Sequence, residues 1–262
     1  MLDFVFDLPL LIAGPAVVAC LCLFAIGGLF LVRRHLLPHL QVRVEDSEFT
    51  GSMVQCVMVF YGLAVALIAV SVSETYSDVS KIVSQEATAL AARYRDVSGY
   101  PELIRPQLQG DLADYTQYVI HEAWPLQQRG ETPGGGVEYM NRFQTRLIAF
   151  EPVSEGQKLL HAEALRAYNH LIEARRLRLD AVGTQLPTVM WAVIAIGALI
   201  GLSSTFFFRV EDARLHGILV TLLATFLGLV IFMILALDRP FRGDLGISAQ
   251  PYQLIYDQLM TQ

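Results

Sequence analysis

Residues 53–97 read MVQCVMVFYGLAVALIAVSVSETYSDVSKIVSQEATALAARYRDV, and they give the clearest indication of the fold. Its first part, 53–72, contains no charged residue and is long enough to cross a bilayer as a helix. Its second part is polar overall but keeps an apolar stripe at helical spacing. No proline separates the two parts, so we expect one continuous helix, roughly 65–70 Å long. The stripe consists of Tyr76, Val79, Val83, Leu90, Tyr94 and Val97.

Four apolar runs account for a strongly hydrophobic composition. The chain has 262 residues, of which 54% are hydrophobic, and its mean hydropathy is +0.46. The runs 8–32, 53–72, 186–208 and 216–237 contain no Lys, Arg, Asp or Glu. Each is about as long as the roughly 20 residues that a spanning helix needs. We therefore predict an all-α membrane protein with two transmembrane helices in 1–72 and two in 186–237.

The residues between the second and third spans, 73–185, have helical periodicity throughout. We expect helices at 73–98, about 102–128, about 137–150 and from near Ser154 onward, with Pro106 bending the first turns of the second. Ser154 and Gln157 have the spacing of a capping box. Four amphipathic helices predict an extramembrane four-helix bundle whose first helix continues span two. Residues 238–262 follow as a polar tail.

Polar and aromatic side chains in and just after the second span are candidates for lining a pore. Polar side chains at this depth usually face protein or water rather than lipid. Aromatic rings repeated by symmetry around an axis would form a hydrophobic constriction. Ordinary packing between helices is the alternative for each of them. The candidates are Gln55, Phe60, Tyr61, Ser71 and Glu74.

Charged residues just before the third span and just after the fourth are candidates for a pore mouth. Charged residues just outside a span normally anchor it at the membrane interface, which is the alternative interpretation. In a pore that passes anions, the arginines would raise the local anion concentration. The candidates are Arg175, Arg176, Arg178, Asp238 and Arg239.

The sequence gives no indication of an enzyme, a metal site or a bound cofactor. Its net charge of −6 argues against nucleic acid as a partner. The signatures of zinc proteases, serine hydrolases, P-loop proteins and dinucleotide-binding proteins are missing from it. Cys20, Cys22 and Cys56 lie in apolar runs without a partnering ligand. The expected partners are the lipid bilayer, small ions and further copies of the same chain.

Four spans place both termini and the 73–185 module on one side of the membrane. Lys and Arg near the spans divide almost evenly between the two faces, so the positive-inside rule does not choose between them. We expect a multi-pass protein of the cell (inner) membrane with the module in the cytoplasm. The two short loops carry Arg33, Arg34, Arg43, Arg209 and Arg214, and the opposite face carries Lys81, Arg175, Arg176, Arg178, Arg239 and Arg242.

Several short motifs resemble the bestrophin-like domain family of bacterial membrane proteins. They are VSQEATAL at 83–90, HEAWP at 121–125 and DRPFRG at 238–243. The resemblance covers about residues 50–250. It implies a homo-oligomeric channel, pentameric in bestrophins themselves, with span two lining the pore and the helical module in the cytosol. Ion selectivity stays open, because Glu74 and an acidic module suit cations as well as anions.

Two functions from different classes fit this organisation. In the first, the protein is an ion channel built by symmetry around span two. In the second, it is a membrane sensor or scaffold whose helical bundle binds a ligand or partner while the spans anchor it. The number of subunits and the presence of an axial opening would discriminate between them.

Overall fold

The computed structural model describes residues 9–38, 46–208, 210 and 212–261. Every regular element in these ranges is a helix, as the sequence predicts. Residue 8 of the predicted first span, Arg43 and Arg209 of the charge count, and the last residue of the tail lie outside these ranges.

Four of the helices are long and apolar enough to cross a membrane. They are α1 (Leu10–Leu31), α2 (Asp46–Asp96), α7 (Thr188–Thr205) and α8 (Ala213–Leu237). A π-helical turn, Val32–Leu36, follows α1. Pro187 precedes α7, and the Asp212 side chain accepts a hydrogen bond from the Arg214 backbone N–H at the start of α8. The predicted runs at 8–32, 53–72, 186–208 and 216–237 fall on these four helices.

Helix α2 is a single α-helix that takes part in both compact units of the chain. The first unit comprises the described residues of Met1–Glu74 together with Gln185–Asp238. The second comprises Thr75–Thr184 together with the described residues of Arg239–Gln262. The division therefore falls inside α2, between Glu74 and Thr75, without a break in the helix.

The first unit packs through small residues that let large side chains approach a neighbouring backbone. A Cβ built at Gly14 would lie 3.1 Å from the ring of Phe232, and one at Gly228 would lie 3.0 Å from Val18, so α1 and α8 approach closely. Between α2 and α7, the ring of Tyr61 covers Gly197. Because lipid provides little hydrophobic drive for helices to associate, close van der Waals packing of this kind holds such units together.

The second unit surrounds its own hydrophobic core. Besides the C-terminal half of α2, it contains α3 (Arg105–Tyr118), α4 (Trp124–Gln128), α5 (Gly136–Ile148), α6 (Glu155–Ala181) and α9 (Gln250–Ile255). The capping box predicted at the start of α6 is confirmed, because Ser154 and Gln157 exchange side-chain and backbone hydrogen bonds. Asp111 of α3 is buried and forms ion pairs of 2.7 and 2.8 Å with Arg142 and Arg146 of α5.

The predicted second helix of this unit differs from the observed one at its start. Helix α3 begins at Arg105 rather than near 102, so Pro106 lies in its first turn and does not bend an existing helix. A proline is tolerated there because the first-turn N–H groups have no partner within the helix. A π-helical turn, Val119–Ala123, joins α3 to α4.

The residues after α8 belong to the core of the second unit. Tyr252 of α9 is fully buried and packs 5.6 Å from Trp124, centroid to centroid. The indole of Trp124 donates a hydrogen bond to the Ile247 carbonyl, and Tyr76 of α2 donates one to the Leu245 carbonyl. The polar tail is thereby fixed to α2 and to the segment that contains Trp124.

Replacing Gly197 with alanine tests the packing of the first unit. The new Cβ would overlap the ring of Tyr61, which also donates a 3.0 Å hydrogen bond to the Ile194 carbonyl. Overpacking of this kind destabilises a core by about 1–3 kcal/mol. We expect Gly197→Ala to lower the temperature of thermal unfolding in detergent, measured by tryptophan fluorescence. Gly62→Ala is the control, because no atom of the described structure lies within 4 Å of its new Cβ; equal stability of the two variants would contradict this packing.

Candidate pore-lining face of the long helix

Helix α2 buries one face at steps of seven residues. Val65, Val72, Val79 and Glu86 are all buried, although the first two lie in one unit and the last two in the other. A seven-residue repeat drifts by only about 20° per heptad around a straight α-helix, so over a few heptads it follows one side of the helix. The opposite side of α2 is consequently exposed at the same spacing. The exposed residues of that repeat are Met53, Phe60, Leu67, Glu74, Lys81 and Thr88.

Three of the five residues predicted to line a pore lie on this exposed side. Phe60 is 68% exposed, and Ser71 and Glu74 are also exposed. At about 100° per residue, Ser71 lies roughly 20° from Phe60 around the helix axis and Glu74 roughly 40° to the other side. The three side chains therefore share one sector of α2, with an aromatic ring in the apolar part and a hydroxyl and a carboxylate nearer the second unit.

The other two predicted residues point elsewhere. Gln55 is exposed but lies roughly 140° from Phe60 around the axis. Tyr61 is buried against α7, where its ring covers Gly197 and its hydroxyl bonds to the Ile194 carbonyl. A buried tyrosine needs such a hydrogen-bond partner, and within a single chain α7 supplies it. The structure thus places Tyr61 in helix packing, away from the exposed sector.

The three arginines predicted for a pore mouth occupy different environments on α6. Arg176 is exposed and Arg175 is half-buried. Arg178 is 1% exposed and lies in the core of the second unit, paired with Glu86. Arg178 was predicted to lie at a pore mouth or at the membrane interface. It is buried instead, because its guanidinium neutralises the buried carboxylate of Glu86. Of the three arginines, only Arg175 and Arg176 have appreciable solvent-accessible surface.

Asp238 follows α8 and is the last residue of the first unit. Its buried carboxylate accepts a 2.5 Å hydrogen bond from the Leu186 backbone N–H and a 3.3 Å bond from the Trp191 indole. The side chain therefore ties the end of α8 to the residues around the start of α7. Arg239, the next residue, is half-buried and belongs to the second unit.

A buried charged cluster lies in the core of the second unit. Glu86 of α2 accepts hydrogen bonds of 2.6 and 3.2 Å from Arg178 of α6 and one of 2.7 Å from the Tyr115 hydroxyl of α3. The Arg178 guanidinium also lies 5.8 Å from the centroid of the Tyr252 ring of α9. Four helices thus meet at one carboxylate, which is completely buried.

The cluster keeps its charges fixed. Burial by itself would lower the pKa of Arg178, but the charge of Glu86 and its hydrogen bonds raise that pKa well above its ordinary value. Burial raises the pKa of Tyr115 and of Tyr252 far above the usual range of tyrosine, and the Glu86 charge raises both further. Both phenols therefore stay neutral and Arg178 stays charged across the physiological pH range.

Sequence reasoning left this cluster unassigned. A signal was present, since Glu86 falls among the apolar positions of α2 and lies in the motif at 83–90. Its partners could not be paired with it, because Tyr115, Arg178 and Tyr252 come from helices remote in sequence. In the described ranges, the structure contains no group of three or more His, Cys, Asp or Glu side chains placed to hold a metal ion.

Removing Glu86 tests whether the ion pair is a structural requirement. In Glu86→Ala, Arg178 stays buried without a counter-charge, which typically costs about 3–5 kcal/mol. We expect a large fall in the unfolding temperature in detergent and partial recovery in Glu86→Leu/Arg178→Met, because both charges are then absent. The control is Arg166→Ala, which breaks the exposed Arg166–Glu163 pair and should change stability by less than about 1 kcal/mol. Equal effects of the two single alanine variants would contradict this interpretation.

The chain matches a known protein family over most of its length. No curated protein and no solved structure matches the chain. The Bestrophin-like domain family matches residues 19–252, a range that includes α2, the buried Glu86–Arg178 cluster, the last two apolar helices and Tyr252. With four helices suited to a bilayer and a family match over nearly its whole length, the chain is a membrane protein that belongs to the Bestrophin-like domain family.

Proposed function

We propose that the protein is a homo-oligomeric ion channel whose pore is lined by the exposed face of α2. The observation that carries the proposal is the sector shared by Phe60, Ser71 and Glu74. The opposite face of the same helix is buried by its own chain at Val65 and Val72. A helix with one face packed and a polar-to-aromatic face exposed suits assembly around a water-filled axis.

The polar members of the sector favour water over lipid. Ser71 lies in the apolar part of α2, and Glu74 follows it within a turn. A charged side chain in the hydrocarbon region costs about 2.5–3.5 kcal/mol on insertion scales, so such residues normally face a cavity or a protein neighbour. Assembly of several copies around an axis would provide that cavity for every Glu74 at once.

Phe60 would form the narrowest apolar part of the pathway. Its ring is 68% exposed, whereas the neighbouring Tyr61 is buried and hydrogen-bonded to α7. A ring of phenylalanines from neighbouring subunits would create a hydrophobic constriction that opens and closes by wetting and drying. Gln55, on another side of α2, would face a neighbouring subunit or lipid at its own depth.

The family match and the four apolar helices support a proposal for assembly and sidedness. We propose that two spans precede the second unit and two follow it, and that the protein lies in the inner membrane of the cell. The second unit and both termini would then be in the cytoplasm. A pentamer is the assembly that the bestrophins suggest. Arg175, Arg176 and Arg239 would then lie near the cytoplasmic ends of the spans, where they anchor the interface or attract anions to the pathway.

Reconstitution tests the proposal directly. We expect purified protein in liposomes to carry ions down a gradient of potassium chloride, measured by fluorescent flux assay and in planar bilayers. Phe60→Ala should increase the open fraction, because the apolar constriction is widened. Liposomes without protein provide the background. A stable oligomer with no axial opening and no flux under either a potassium or a chloride gradient would refute the channel.

Charge reversal at Glu74 tests the lining. A ring of Glu74 carboxylates should attract cations, so Glu74→Lys should shift the reversal potential in a potassium chloride gradient toward the chloride equilibrium potential. Glu138→Lys on α5 is the matched control, because it makes the same charge change at an exposed position outside α2. Equal reversal potentials for wild type and Glu74→Lys would remove Glu74 from the ion pathway.

A sensor or scaffold is the second candidate, and one observation favours it. The second unit contains a groove of about 680 Å³ between α2 and α6. Lys81, Gln85, Arg93, Ala167 and His170 are among the residues that line it. Its size suits a small ligand. A particle image that gives a closed dimer without an axial opening would support this function over the channel.

A further inference from the structure

The most exposed large aliphatic side chains of the second unit lie on three chain segments. Leu103 and Val153 are 88% exposed, Leu159 is 74% exposed and Ile148 is 61% exposed. Leu103 precedes α3, Ile148 and Val153 lie at and after the end of α5, and Leu159 lies in the first turns of α6. We call these four residues the end patch. Aliphatic side chains exposed to this degree and grouped together usually mark an interaction surface.

Ring contacts bring the three segments together. Tyr100, which precedes Leu103, lies 4.9 Å from Phe150, centroid to centroid. Its hydroxyl lies 3.0 Å from Nδ1 of His161, and the His161 ring packs 5.7 Å from Phe150. Leu160 approaches the backbone of Gly99 so closely that a Cβ there would lie 3.0 Å from it. One aromatic cluster, in which Tyr100 is buried, therefore joins the three segments that carry the four aliphatic side chains.

Hydrogen bonds hold the backbone beneath the end patch in place. The N–H groups of Val153 and Ser154 both donate to the Gln157 side chain, and Ser154 accepts from the Gln157 N–H. On the neighbouring segment, Arg105 donates through Nε to the Tyr100 carbonyl. The backbone that carries the exposed aliphatic side chains is thus already ordered. Binding of a partner would therefore cost little conformational entropy in these segments.

The charges around the end patch are mainly acidic. Glu102 and Glu151 are exposed beside Leu103 and Val153. Glu155 is exposed as well and is paired with Lys158 at 2.7 Å. Arg105 is half-buried and bound to Tyr100, and the Glu163–Arg166 pair one turn further along α6 is neutral overall. With the Glu155–Lys158 and Glu163–Arg166 pairs neutral overall, Glu102 and Glu151 carry the exposed acidic charge beside the aliphatic side chains, and this charge disfavours an anionic lipid surface.

We infer that the end patch is a docking site for a cationic amphipathic helix of a partner protein. The aliphatic face of such a helix would cover Leu103, Ile148, Val153 and Leu159, and its Lys or Arg residues would face Glu102 and Glu151. Helices bind apolar surfaces in this way when their charged positions match the rim. This site is separate from α2 and needs no ion conduction.

A model peptide tests the site in the full chain. The protein is placed in nanodiscs of neutral phosphatidylcholine, and a fluorescein-labelled amphipathic helix of Leu and Lys is titrated by anisotropy against empty nanodiscs. We expect saturable binding, and a dissociation constant raised by about tenfold or more in Leu103→Ser/Val153→Ser. Leu177→Ser/Leu254→Ser is the matched control, because both residues are exposed on the second unit outside the patch; its affinity should equal that of wild type.

Charge reversal should change the affinity for two peptides in opposite directions, which a folding defect would not do. In Glu102→Lys/Glu151→Lys, the Leu/Lys peptide should bind more weakly and the matching Leu/Glu peptide more strongly than in wild type. Equal binding to wild type and both patch variants would overturn the proposal. A change in oligomer mass by light scattering in Leu103→Ser/Val153→Ser would assign the surface to a second copy. Binding of the detergent-purified protein to anionic vesicles that is lost in that variant would assign it to lipid.

Discussion

The second unit depends on one buried ion pair. Glu86 of α2 bonds to Arg178 of α6 at 2.6 Å and to the Tyr115 hydroxyl of α3 at 2.7 Å, and Tyr252 of α9 packs beneath the guanidinium. A carboxylate without solvent is tolerated only when a counter-charge and hydrogen bonds replace the lost water. The requirement makes the arrangement specific: sliding α2 along α6 by one turn would leave two charges buried and unpaired. The C-terminal residues are held by the same cluster, through Tyr252.

The first unit relies on a different physical term. In lipid, burying apolar side chains gives helices little reason to associate, so contact must come from close fit. Gly14, Gly197 and Gly228 supply that fit by receiving Phe232, Tyr61 and Val18. Asp238 adds a polar tie, since its carboxylate bonds to the Leu186 N–H and the Trp191 indole. The first unit also has a buried apolar cluster, and close packing around small residues together with one carboxylate stabilises it where hydrophobic burial gives little.

Helix α2 belongs to both units and has the same seven-residue pattern of buried positions in each. Its buried positions at Val65, Val72, Val79 and Glu86 recur every seven residues across the division between the units. The exposed positions recur with the same period, and their chemistry changes from Phe60 and Leu67 to Glu74 and Lys81. In the channel that we propose, the apolar positions would form a constriction and the polar positions would face solvated ions. The proposed channel rests on that change along a single face, together with membership of the Bestrophin-like domain family.

The helical class, the four apolar helices, the capping box at Ser154 and the family could all be predicted from the sequence, because each rests on local composition, spacing or a short motif. It also singled out Phe60, Ser71 and Glu74, whose shared sector follows from helical periodicity. The burial of two other predicted residues, Tyr61 and Arg178, depends on tertiary contacts. Tyr61 faces α7 because Gly197 accepts its ring, and Arg178 is buried because Glu86 requires a counter-charge. Such pairings join residues that are remote along the chain, so their energies depend on packing geometry that periodicity does not contain.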